Sequence, residues 1–139
     1  MDPIALASVR AGDDPSHWMV WSDWLDDAGM GNLAALARAA LASCAAEDAF
    51  AGADANSPDR QAIRAAHRAA LGEVHRTRKA LSPAEVRTAV GVYEDSRRFG
   101  CGAARGKNQL AARVARRIGY GWPFRALRDQ PAGKTLPRR

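Results

Sequence analysis

At 139 residues the chain can bury one real core, or two small ones sharing an interface. Aromatics make up only 6% of it, alanine recurs throughout and β-branched runs are scarce, so an all-α fold is expected and strands are not. The net charge of +6 divides unevenly: residues 1–56 carry two basic residues against nine acids, a balance of −7, whereas residues 57–139 carry nineteen against six, a balance of +13. That asymmetry speaks of partners and solubility, not of fold. No apolar run approaches the ~20 residues that span a bilayer. No basic-then-apolar leader opens the chain. Cys44 and Cys101 lie far apart without ligand-like neighbours and read as reduced thiols. A cytoplasmic protein without a membrane partner is the expectation.

In chain order, Asp2-Pro3 opens a short helix to Arg10, which Ala11-Gly12-Asp13 breaks. Asp14-Pro15 repeats the device and predicts a second helix from Pro15 to Ala28, with Gly29 in the left-handed position that ends it. Trp18, Trp21, Trp24 and Leu25 share one broad face of this helix. Such rings serve either as core or as anchors for a protein partner. Asp23, Asp26 and Asp27 fall mainly on the other side, near a helix end whose dipole disfavours acids, which suggests an outside reason for them. Asn32 is placed to cap a third helix, Leu33 to Phe50, with Leu33, Leu36, Ala37, Ala40, Leu41 and Cys44 inward. Cys44 then reads as a small buried hydrophobe.

Residues 6–41 carry a motif. Asp13 and Asp14 precede Val20-Trp21-Ser22-Asp23-Trp24-Leu25-Asp26-Asp27-Ala28-Gly29, and the following helix supplies Leu33, Leu36 and Arg38. This stretch resembles the short repeat-companion domain found in many bacterial proteins, whose core runs D-D-x-P-R-L-V-Y-A-D-W-L-E-E-R-G-D before a helix with a small-x-x-I-R-L pattern. Trp18 stands where that family has a basic residue, and Met30 where it has an acid. The resemblance covers about a quarter of the chain. It implies a helical docking or scaffold element, carries no catalytic residues, and does not extend to residues 57–139.

After a linker over 51–57, Ser57-Pro58 predicts a fourth helix to Ala80. Its stripe is Ile63, His67, Ala70, Leu71, Val74 and Leu81, and arginines load its other faces. Ser82-Pro83-Ala84-Glu85 is a capping box that opens a fifth helix to Arg98, with Val86, Ala89, Val90 and Tyr93 inward. A glycine-rich break over 99–106 leads to a sixth helix, Gln109 to Ile118. Gly119-Tyr120-Gly121-Trp122 makes a turn, and Pro123 opens a short seventh helix to Arg128. The expected whole is about seven helices in two packed units. These are an acidic one over 1–50 and a basic one over 57–129, followed by a disordered basic tail over 130–139.

Several chemistries fail on spacing. A phosphate loop ending at Gly106-Lys107 needs glycine where Cys101 stands, Ser or Thr where Asn108 stands, and a preceding strand. His67 and His75 are eight residues apart, too far for paired helical metal ligands, so no metal or cofactor is expected. Asp23, Asp26 and Asp27 lie on an exposed helical face and meet water, not the pocket that a general acid needs. A non-enzymatic protein follows. The basic segment instead resembles a helix-turn-helix, with Ala115 small, Gly119 at the turn and Phe124 and Leu127 seating a recognition helix. Arg97, Arg98, Arg105, Lys107, Arg113, Arg116, Arg117, Arg125 and Arg128 are then candidate DNA or RNA contacts. Tyr120 and Trp122 are candidate stacking rings for unpaired bases. The alternative is a protein–protein adaptor that binds its partner through Trp18, Trp21 and Trp24. The bland third possibility is that the arginines pair with the chain's own acids.

Overall fold

The computed structural model describes residues 15–100 and 110–122. They form five helices: α1 (Pro15–Asp27), α2 (Gly31–Gly52), α3 (Arg60–Lys79), α4 (Pro83–Gly100) and α5 (Leu110–Gly119). Among the described residues there is no strand, and no helix is long and apolar enough to cross a membrane. The helices expected over 3–10 and 123–128, residues 101–106 of the expected glycine-rich break and the tail at 130–139 lie outside the described residues, while Phe99 and Gly100, expected in that break, continue α4.

The α1 helix starts at Pro15 and stops at Gly29, whose φ of 80° only glycine adopts without strain. The Met30 N–H donates to the Leu25 carbonyl at 2.8 Å, the long closing bond of a Schellman-type stop. Trp18, Trp21, Ser22 and Leu25 are buried, whereas Trp24 sits half-buried at the edge of the face. Trp18 and Trp21 meet edge to face, their centroids 5.5 Å apart. The buried Ser22 hydroxyl donates to the Met19 carbonyl at 2.8 Å, so the small residue on this face leaves no orphan donor.

The α2 helix is the axis of the structure and packs against each of the other four helices. From Leu33 to Cys44 its buried residues point in nearly every direction, five of them alanine or cysteine, because neighbours surround it. Small side chains let those neighbours come close. The start of α2 differs from the expectation. Asn32 lies inside the helix and gives no N-cap bond. The missing acceptor arrives from α4: the Glu85 carboxylate takes the Leu33 N–H at 2.8 Å and the Asn32 amide at 3.5 Å. The same carboxylate completes the capping box of α4, accepting the Ser82 N–H at 2.9 Å while Glu85 N–H donates to the Ser82 hydroxyl at 3.2 Å.

The α3 helix turns back along α2, with His67 stacked on Phe50 and Arg60 reaching the Ala53 carbonyl. Ser57 and Pro58 precede it in a separate turn, in which the Ser57 hydroxyl accepts the Asp59 N–H at 3.2 Å. Only Val74 and Thr77 of α3 are buried. Val92, not Val90, joins Val86 and Ala89 in the buried face of α4. α5 buries Ala111, Val114, Ala115, Ile118 and Gly119. One buried cluster thus draws on both charge segments, from Trp18 to Ile118.

Gly119 also departs from its expected role. It is the last residue of α5, pressed against α4, and the glycine with positive φ in the turn is Gly121 at 88°. A β-carbon at Gly119 would meet the Ala89 carbonyl oxygen and Tyr93 Cβ well inside van der Waals contact. Gly119→Ala should therefore destabilise by about 1–3 kcal/mol in urea unfolding, although alanine favours a helix by about 1 kcal/mol over glycine.

Burial alone would raise the Glu85 carboxyl, but hydrogen bonds from Ser82, Leu33 and Asn32 outweigh it and hold the group below the ordinary value. Glu85→Ala strips acceptors from two helix starts and should cost about 2–3 kcal/mol at pH 7. The contribution is complete above the unfolded glutamate pKa of about 4.3 and is lost as pH falls through the lower folded value. The stability gap between parent and variant should close in denaturant titrations carried out down to pH 3.

Candidate functional site

Four arginines bind α5 to its neighbours or line the space beside it. Along α5, Arg113 and Arg117 fall four residues apart and face α2, where Glu47 and Asp48 sit one turn past Cys44. Arg113 Nη2 donates to the Glu47 carboxylate at 2.8 Å and lies 3.0 Å from Asp48. Arg117 Nη2 reaches the same Glu47 oxygen at 2.5 Å, and its other amino group lies 3.1 Å from Cys44 Sγ. The arginines, Arg113 first, hold the Glu47 carboxyl below its ordinary value against the effect of burial. Arg113 is held above its own, chiefly by Asp48. Burial pushes the Cys44 thiol up despite the two guanidiniums beside it.

On the other side of α5, Arg78 of α3 caps the helix from outside. Its guanidinium donates to the carbonyls of Arg117 at 2.8 Å, Ile118 at 3.2 Å and Tyr120 at 3.0 Å, satisfying acceptors that a helix end leaves orphaned. It also covers the Trp122 ring at 4.5 Å, and Trp122 Nε1 donates back to Ile118 at 3.0 Å. Burial lowers the Arg78 pKa. It remains a cation at any physiological pH.

Between these contacts lies an open cleft of about 650 Å³. Leu71 and Val74 form its apolar floor, and His75 and Arg78 continue that wall along α3. The facing wall is Arg113, Arg116, Arg117 and Tyr120, and among the described residues Glu47 is the one carboxylate in the lining. Arg116 is exposed and lies over the Tyr120 ring at 4.4 Å. Tyr120 is 50% exposed and meets Tyr93 edge to face at 5.6 Å. A smaller recess of about 430 Å³ adjoins it, with Lys79, Leu81 and Trp122 in its walls.

The sequence-predicted contacts separate on this geometry. Arg116 and Tyr120 are accessible at the cleft, and Trp122 is half-buried beside it. Arg113 and Arg117 line the cleft but already hold Glu47 and Asp48, as the pairing of basic and acidic segments would have it. Arg97 and Arg98 sit in the last turn of α4. Arg105, Lys107, Arg125 and Arg128 lie outside the described residues, as do Cys101, Phe124 and Leu127. Trp18 and Trp21 are core residues, 1% and 0% exposed, and present no ring to a partner; Trp24 packs half-buried against the core. Arg38 supplies the outside reason for the acids of α1, bridging Asp23 at 2.9 Å and Asp26 at 2.7 Å.

Sequence reasoning had no means of selecting Arg78, His75 or Glu47 for the cleft. Arg78 and His75 stand in a run of similar basic residues, and Glu47 lies 66 residues from Arg113. Among the described residues no group of three or more His, Cys, Asp or Glu is close enough to hold a metal ion. Compared with protein-family profiles, with curated proteins and with solved structures, the chain matches none. The repeat-companion resemblance of residues 6–41 therefore rests on its own motif.

The burial of Cys44 and its raised pKa predict an inert thiol. In a Cys101→Ser background, labelling by a thiol reagent at pH 8 should proceed only as fast as the protein opens, and should accelerate sharply in denaturant.

Proposed function

We propose that this protein binds nucleic acid, without catalysing a reaction, through the cationic cleft of α3 and α5. The observation that carries this reading is the gathering of Arg78, Arg113, Arg116 and Arg117 around one open space opposite a single lining carboxylate. Glu47 and Asp48 offset Arg113 and Arg117, whereas the exposed Arg116 is open to the phosphate oxygens of a polyanion. Exposed residues extend the basic surface along α3: Arg64, Arg68, His75 and Lys79 recur at intervals of four, seven and four, one stripe of a helix. At 1.5 Å per residue that stripe is about 22 Å long and ends at the cleft. The helix-turn-helix form of the reading has less support, since Gly119 packs on α4 instead of making the turn.

The acidic N-terminal segment acts here as an internal counterweight. Glu47 and Asp48 hold Arg113 and Arg117 in fixed positions while Arg116 stays open. In residues 6–41, the positions that match the repeat-companion motif include Asp23, Asp26 and Arg38, which form one ion-pair cluster, and Leu25, Leu33 and Leu36, which are buried. We read this element as the scaffold on which α5 is mounted. An adaptor anchored through the tryptophan face would have to expose Trp18 and Trp21 at the expense of the core.

Titration of labelled oligonucleotides at two salt concentrations tests the reading. With about four phosphates neutralised, affinity should fall about 10²-fold between about 50 and 200 mM salt. Arg116→Ala should weaken binding at low salt and reduce the salt dependence by about one charge. No binding of any oligonucleotide at low salt would refute the reading.

A further inference from the structure

Resting on that reading of the cleft, we infer that its ligand is an unpaired strand, with phosphates among His75, Arg116 and Arg117 and one base on the Arg116–Tyr120 tier. The first ground is recess. Arg113 and Arg117 line the cleft and expose only 19% of their side chains. Duplex phosphates follow a stiff, regular path, whereas a flexible single strand can bend a phosphate into a recess. The volume of about 650 Å³ is that of an ordinary ligand pocket, suited to one or two nucleotides.

The second ground is the ring. Tyr120 is one of few large apolar side chains left exposed among the described residues, and it is not loose. Tyr93 meets it edge to face at 5.6 Å, and the exposed Arg116 guanidinium lies over the ring, 4.4 Å from its centroid. A base can continue such a tier, since bases stack on both aromatic rings and guanidinium planes. A duplex keeps its bases in its own stack and leaves this platform unused. Arg116 and Arg117, in the last turn of α5 just before Tyr120, line the same cleft and are the groups for the flanking phosphate. Stacking plus a cationic groove is the combination that single-strand binders use, with little dependence on base identity.

The test compares one fluorescent strand of about twelve nucleotides, free and annealed to its complement, by anisotropy with the full chain at low salt. The single strand should bind about tenfold or more tighter than the duplex, and Tyr120→Ala should remove about tenfold from the single strand while leaving the duplex unchanged. Tyr120→Leu, which keeps an apolar contact with Tyr93 but has no π face, should behave like the alanine variant, and Tyr120→Phe like the parent. Thermal melts report whether each variant stays folded, and the leucine variant decides the matter if the alanine variant does not. Equal or tighter duplex binding, or equal losses on both ligands, overturns the inference and leaves the nucleic-acid reading standing. If neither ligand binds, both fall.

Discussion

The buried carboxylate of Glu85 ties the two ends of this fold together. It accepts the Ser82 N–H within its own helix and the Leu33 N–H of α2, 52 residues away in sequence. Both donors are orphans of a first helical turn, where the helix dipole also favours negative charge. Glu85 is 4% exposed, so leaving either donor unpaired would cost more than at the surface. One side chain thereby sets the start of α2 relative to the start of α4. The position of α5 follows, because α5 packs into the space between them, with Gly119 against α4 and Val114 and Ile118 in the shared core.

Arginine does for α5 what Glu85 does for α2 and α4. Arg113 and Arg117 reach across to α2, and Arg78 reaches across from α3 to the C-terminal carbonyls. A short helix of ten residues is marginal in isolation, so these contacts and its buried face hold it. The same contacts concentrate positive charge at one place on the surface. The guanidiniums that fix α5 therefore also wall the cleft. The acidic balance of residues 1–56 acquires a local meaning as well, since Asp23 and Asp26 hold Arg38 while Glu47 and Asp48 hold Arg113 and Arg117.

Much of the local structure was legible in the chain. Pro15 and Gly29 bounded α1, and Ser82 with Glu85 announced the capping box of α4. Burial in α2 spreads around the helix beyond the expected stripe, whereas the buried face of α1 followed helical spacing. These features depend on neighbours within about four residues, where covalent geometry alone brings groups together. The candidate site was legible in part. Arg116 and Tyr120 were marked by charge and aromatic character close to a turn. Glu73 three residues earlier gave Arg76 a local partner, but nothing local pointed Arg78 to the end of α5.

Sequence alone dictated the helical class, the bounds of α1 near Pro15 and Gly29, the start of α4 at its capping box, and the segregation of charge. Tertiary structure alone decided that Trp18 and Trp21 are core, that Glu85 serves α2 in place of Asn32, and that Gly119 is a contact residue and not a turn residue. It also decided which arginines neutralise acids and which face the cleft. The physical reason is range. Caps and stripes are satisfied within one or two turns, whereas a buried donor or a guanidinium takes the nearest acceptor in space, which here lies 52 to 66 residues away along the chain.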